Sequence, residues 1–171
     1  MTGSVAALPV LGQGLFWQQL SQGARFRTFR RLITEADLVA FISCTGMLES
    51  IFIDPEFEDR AIAGRPIPAA LTYTLIEGFQ LQSICQGTGL ALLEVSMKAH
   101  RPVQVCDTIS AIVTIESIRP TSRGGRAVVT SFVEVYNQDE TLVLSYWVSR
   151  LIAGQPLLPS PSIWAADEAS P

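Results

Sequence analysis

The sequence predicts one α+β domain. Three observations carry this: a short capped helix near the start, a longer helix that is apolar over most of its circumference, and four strand-like segments separated by turn residues after it. At 171 residues, 48% hydrophobic and 16% charged, the chain can fill a real core, and its mean hydropathy of +0.31 argues against disorder. So apolar a composition also suggests a surface buried in a partner subunit.

"RFRTFRRLIT" (25–34) alternates well enough for a short strand or extended lead-in. "TEADLVAFISCTG" then reads as a helix. Thr34 and Asp37 form the S/T-x-x-D/E capping pattern, Leu38, Phe41 and Ile42 fall on one face, and Gly46 ends it. "MLESIFIDPEFEDRAIAGRPI" follows, a connection long enough to carry function. "PAALTYTLIEGFQLQSICQG" predicts the buried helix, from Pro68 to Gly87, with Leu71, Leu75, Phe79 and Gln82 on one face. Thr72 and Tyr73 on this helix either reach a ligand tunnel or pack in the core.

The strands are "GLALLEVSMKAH", "TISAIVTIESIRP", "RAVVTSFVEVYNQ" and "TLVLSYWVSRLIAG", with turns "RPVQVCD", "TSRGG" and "DE" between them. They predict an antiparallel meander. Tyr146 and Trp147 in the last strand are expected on a sheet face or a dimer contact. A long helix wrapped by a curved antiparallel sheet is the hotdog architecture. Its domain is expected over 16–154, after an extension over 1–15 and before a Pro-rich tail over 155–171. The helix and apolar strands exceed what one thin sheet can cover, so a homodimer is expected.

The formal charge of −4 and a pI near 5.0 argue against nucleic-acid binding. No apolar run is long enough and clean enough to cross a bilayer, and the first residues lack a basic stretch followed by an apolar core, so no secretory signal is expected. Cys44, Cys85 and Cys106 lack metal-ligand spacing and lie in apolar stretches. They are expected to be small buried residues in a reducing compartment, the cytoplasm. The acidic group Asp54, Glu56, Glu58 and Asp59 reads as a solvated loop face, and neither a metal nor a cofactor is expected. His100, the only histidine, reads as a rim or structural residue. Two arginine groups (Arg25, Arg27, Arg30, Arg31; Arg119, Arg123, Arg126) either face water or contact phosphate.

Four stretches in series resemble the MaoC-like hydratase/dehydratase family, which includes (R)-specific enoyl-CoA hydratases. "RLITEADLVAFISCTG" is similar to R-x-I-T-x-x-D-[LIV]-x-x-F-x-x-x-[ST]-G, and "AGRPIPAALTYTLIEG" to the G-R-I-x-x-G-x-L opening of the central helix. "HRPVQVCDTISAIVTIESIR" is similar to R-P-V-x-x-G-D-[TL]-[LI], and "EVYNQDETLVLSYWVSRLI" to V-x-N-Q-x-G-E-x-V. The resemblance implies a hotdog homodimer that adds or removes water on an acyl-CoA thioester. It implies an Asp and a His on the loop after the first helix. It also implies a backbone N–H at the start of the central helix that polarises the thioester carbonyl.

The family's loop reads G-D-x-N-P-[LIV]-H. Here Gly46 keeps its place, Met47 takes the Asp position, Glu49 the Asn, Ser50 the Pro and Phe52 the His. The usual acid–base pair is therefore missing from a loop of unchanged length. Ala69 stands where the helix-opening glycine is common, and Cys106 where a turn glycine is. Glu49 is the candidate relocated acid–base group, because a carboxyl among apolar neighbours is raised toward neutrality. Alternatively it caps the next turn or pairs with Arg65. Met47, Phe52, Arg65, Ala69 and Tyr73 are the candidate substrate-binding residues. Three functions remain open at this point: a hydratase/dehydratase with an altered site, a non-catalytic hotdog that binds an acyl-thioester or only dimerises, and a thioesterase using Glu77 of the central helix.

Overall fold

In the computed structural model, residues 10–54, 56–58, 61–122 and 125–156 are described. Expectations for Pro55, Asp59, Arg123, residues 1–9 and the tail from 157 lie outside them. Strands β1 (Arg25–Arg27) and β2 (Arg31–Leu32) lead into helix α1 (Glu35–Thr45). Thr34 Oγ1 accepts the Asp37 amide and the Asp37 carboxylate accepts the Thr34 amide, which closes the capping box. Gly46 ends the helix at φ 75°, a left-handed conformation that glycine adopts without a Cβ clash. Inside the expected loop lies a single helical turn, α2 (Ser50–Ile53). Helix α3 spans Ala69–Leu81, with Pro68 as its N-cap. It stops six residues before Gly87, because residues 82–88 turn back through short-range bonds such as Cys85 N–H to Gln80 O.

Strands β3 (Gly89–Ala99), β4 (Thr108–Pro120), β5 (Arg126–Tyr136) and β6 (Leu142–Ala153) form an antiparallel sheet in the order β1-β4-β5-β6-β3, with β2 also on β4. Only β4–β6 make the expected meander. β3 crosses to the far edge and pairs with β6 instead of with β4. On β4, Ile109, Ala111, Val113 and Ile115 are buried in strict alternation, and on β5 so are Val133 and Val135. All of these but Ile115 pack with Leu38 and Ile42 of α1 and Leu71 and Ile76 of α3 in one core, while Ile115 joins a second cluster with Leu20, Cys85 and Ile152. The period of two thus puts an apolar face under the helix.

The buried face of α3 is rotated from the expected one. Leu71, Thr72, Ile76, Glu77 and Gln80 are buried, and Leu75 and Phe79 only partly so. Two polar residues face the sheet because the sheet offers them partners. Tyr146 and Arg150 stand on the inward face of β6. Tyr146 Oη and Gln80 Nε2 each donate to Glu77 Oε1 at 2.8 Å, Gln80 Nε2 also reaches Tyr146 Oη at 2.8 Å, and Arg150 donates to Glu77 Oε2. Tyr146 is therefore internal, while Trp147 on the opposite face is exposed. Of the cysteines only Cys85 is buried. Cys44 and Cys106 are exposed, against the expectation of small buried residues. Cys106 has φ 75°, the conformation of the glycine it replaces.

Candidate functional site

The N-terminal end of α3 opens into a cavity of about 310 Å³, lined among others by Phe52, Ile67, Ala69, Thr72, Arg101 and Leu144. The first amides of a helix have no intrahelical acceptor. Pro68 brings no side-chain cap, and neither the Ala69 nor the Ala70 N–H is bonded among the described residues; the first amide to return to Pro68 O is that of Leu71, at 2.9 Å. Two free donors thus stand at the positive end of a helix dipole, and Ala69 lines the mainly apolar cavity. Thr72 lies one turn on, 1% exposed, and its hydroxyl has no partner. Thr72 thus packs in the core and also lines the cavity, and its hydroxyl is unpaired among the described residues.

Two of the sequence-predicted residues, Phe52 and Ala69, line this cavity. Glu49 is exposed, not enclosed by the apolar residues around it. It is the N-cap residue of α2 and makes no side-chain capping bond, and Phe52 N–H donates to its carbonyl at 2.9 Å. Its carboxylate therefore belongs to the turn that supplies Phe52 to the cavity wall. Met47 is also exposed on this loop, at 40%.

Arg65 does not pair with Glu49. Its Nη2 lies 2.6 Å from Glu35 Oε1, and its Nη1 donates to the Phe52 carbonyl at 2.5 Å. It thereby ties α2 to the start of α1. The hydrogen bond from Arg65 holds the Glu35 carboxyl below the ordinary range against a small opposing effect of burial. Tyr73 lies away from the cavity, edge-on to Tyr146 with ring centroids 5.1 Å apart. Burial, then the Glu77 charge, raises its phenol above the usual value.

His100 borders the cavity, but its ring turns from it. Nε2 is hydrogen-bonded to Ser145 Oγ at 2.8 Å. Ser145 alternates with inward Tyr146, so it faces the outer side of the sheet, in register with Lys98 and Glu134. Glu77 has its carboxylate engaged by Arg150, Tyr146 and Gln80, which leaves it poorly placed to serve as a base. Among the described residues no cluster of three or more His, Cys, Asp or Glu could hold a metal ion. No helix there is long and apolar enough to cross a membrane.

The arginine groups stand elsewhere. Arg25 and Arg27 lie on β1, at the edge opposite β3, and Arg31 pairs with Asp37. Arg126 is in register with Ala153, at the other end of β6 from Leu144. Arg101, which belongs to neither group, is the arginine at the cavity, exposed and without an ion pair among the described residues. Its signal in the sequence was its place in "HRPV", beside the helix opening only once β3 is known to be the edge strand. A larger cavity of about 630 Å³ lies near the C-terminal end of α3, among Leu15, Phe26, Phe29, Phe79 and Ile84.

No family model and no curated protein matches the chain. Solved structures do. A monoamine oxidase regulatory protein from Archaeoglobus fulgius superimposes with a TM-score of 0.77 at 23% identity, over 86% of this chain and 100% of that one. A MaoC-like dehydratase from Rhodospirillum rubrum gives 0.73 at 21% identity, over 84% and 100%. A conserved hypothetical protein from Mycobacterium tuberculosis with a double hotdog fold gives 0.71 at 16% identity, over 85% of this chain and 46% of that one. The fold is a hotdog. Its wrapped helix is α3, and the cavity sits where that helix begins. The match to just under half of the double hotdog corresponds to one such unit.

Proposed function

We propose that this hotdog binds an acyl-CoA thioester with its carbonyl oxygen at the start of α3, and that it adds or removes water on the acyl chain. The observation that carries the proposal is the free amide end of α3, Ala69 at the wall of a mainly apolar cavity and Ala70 next to it in the chain. Fixed N–H donors stabilise charge that develops on a carbonyl oxygen, and they are worth more in an apolar site than in water. The likeness of the fold to a MaoC-like dehydratase supports the same class of reaction.

In the hydration direction, water attacks the β-carbon of the enoyl thioester while Glu49 takes its proton. The displaced electron pair moves through the α-carbon onto the carbonyl oxygen, where the amides hold it. The protonated Glu49 then returns the proton to the α-carbon as the carbonyl re-forms. One carboxyl serves both transfers in turn. Glu49 is assigned because it is the carboxyl on the turn that forms the cavity wall at Phe52. Arg101 is assigned to the CoA phosphates as the arginine at the cavity without an ion pair among the described residues.

We further propose that the active form is a homodimer joined along β3. That edge strand is exposed throughout its length, with Leu90, Leu92, Leu93, Val95 and Met97 among its residues. A long apolar edge left unpaired invites aggregation, and a second copy would cover it. The three free cysteines suit a reducing compartment, and we assign the protein to the cytoplasm.

A second reading, a thioester-binding protein without catalysis, is favoured by one observation. The histidine at the cavity is turned away to Ser145, and Glu49 is not among the lining residues. Turnover of enoyl-CoA esters by wild type and by Glu49→Gln separates the two. Loss of water addition in the variant supports catalysis, and no reaction by wild type with intact binding supports the second reading.

A further inference from the structure

We infer that the Thr72 hydroxyl is a third donor to the substrate oxygen held at the start of α3. This rests on the proposed thioester site and assigns it a side-chain ligand.

A threonine within a helix ordinarily turns its hydroxyl onto a carbonyl three or four residues back. Thr74 does so on the same helix, with Oγ1 2.8 Å from Ala70 O, and Thr45 does so on α1, 2.7 Å from Phe41 O. Thr72 has the same option at Pro68 O and does not take it. That carbonyl already accepts the Leu71 amide at 2.9 Å and the Thr72 amide at 3.4 Å. The hydroxyl is left without a partner in a residue 1% exposed, at the wall of the 310 Å³ cavity.

A buried polar group without a partner is costly, and native proteins seldom leave one so. The cost is removed when a ligand supplies the missing acceptor. Ala69 and Thr72 are three residues apart, share a helix face and both line the cavity, with the Thr72 hydroxyl sealed beneath its wall. The groups left without a partner at this helix end, among the described residues, are donors: the Ala69 and Ala70 N–H groups and the Thr72 O–H. The acceptor they suit is an oxygen that gathers negative charge, such as a thioester carbonyl on its way to an enolate. The surrounding Phe52, Ile67, Val143 and Leu144 suit an apolar acyl chain rather than a free anion.

The test uses the full chain with Thr72→Val, which keeps the shape and removes the hydroxyl, and Thr72→Ser, which keeps the hydroxyl. Butyryl-CoA, which cannot be hydrated, is titrated calorimetrically. Thr72→Val is expected to weaken its binding by about 10-fold and Thr72→Ser by far less. Where crotonyl-CoA is turned over, kcat should fall by about 100-fold in Thr72→Val, more than binding does, because the hydrogen bond strengthens as charge develops. The melting temperature of Thr72→Val should equal or exceed that of wild type, since a partnerless hydroxyl is removed. Equal butyryl-CoA affinity in wild type and Thr72→Val overturns the inference and leaves the thioester site standing. No binding by wild type overturns both.

Discussion

Replacing Arg150 by methionine would strip the buried Glu77 of its only charged partner among the described residues. Arg150 is 6% exposed and Glu77 8%, so water cannot take the place of the guanidinium. Breaking a buried pair by removing one member typically costs about 3–5 kcal/mol. Two neutral donors, Tyr146 Oη and Gln80 Nε2, stay at 2.8 Å from the carboxylate, which puts the expected loss at the lower end, about 3 kcal/mol. With a urea slope of about 2 kcal/mol/M, the unfolding midpoint should drop by roughly 1.5 M. The deficit should also depend on pH. An unpaired buried carboxyl binds its proton more tightly in the folded than in the unfolded chain, so the variant regains stability relative to wild type as pH falls. Denaturation followed by circular dichroism at pH 8 and pH 5 measures both. The double variant Glu77→Leu/Arg150→Met should return to within about 1 kcal/mol of wild type, because Gln80 and Tyr146 still bond to each other. An Arg150→Met protein within about 1 kcal/mol of wild type at pH 8, or a deficit unchanged at pH 5, would refute the ion-pair reasoning.

Cys106→Gly should be neutral or stabilising by up to about 1 kcal/mol in thermal unfolding, since it relieves a side chain held at positive φ while adding unfolded-state freedom. If the proposed homodimer forms along β3, lysine at both Leu92 and Met97 should shift a dimeric wild type to monomer in analytical ultracentrifugation; an unchanged mass would rule out β3 as the interface. Arg101→Gln should weaken butyryl-CoA binding several-fold at low salt and less at high salt, with the difference read by titration calorimetry.

Much of the fold was legible because its elements follow local rules. The Thr34–Asp37 box, the Gly46 stop and the alternation of β4 and β5 are each set by neighbouring residues. The position of β3 was not legible, because pairing with β6 is a long-range choice that strand periodicity does not encode. The rotation of α3 was missed for a related reason. Apolar periodicity assigns Glu77 and Gln80 to water, and only Arg150 at an inward position of β6 shows why they face the core. That arginine was visible as a break in the apolar face, two residues after Val148.

At the site, the helix opening at Ala69 and the loop residue Phe52 came from motif order, and both line the cavity. Arg65 was expected at the substrate or beside Glu49, and spacing gave no sign of its actual partner, Glu35, 30 residues away in sequence. The orphan state of Thr72 is a property of hydroxyl orientation, for which sequence carries no signal.

The proposed chemistry is tested most directly by incubating the purified protein, beside Glu49→Gln, with a panel of enoyl-CoA and 3-hydroxyacyl-CoA esters and identifying products by mass. The expected result is gain or loss of water on at least one member by wild type, reduced at least 100-fold in Glu49→Gln. No mass change on any short, branched or dicarboxylic ester would contradict hydratase chemistry, and turnover undiminished in Glu49→Gln would contradict the role of Glu49.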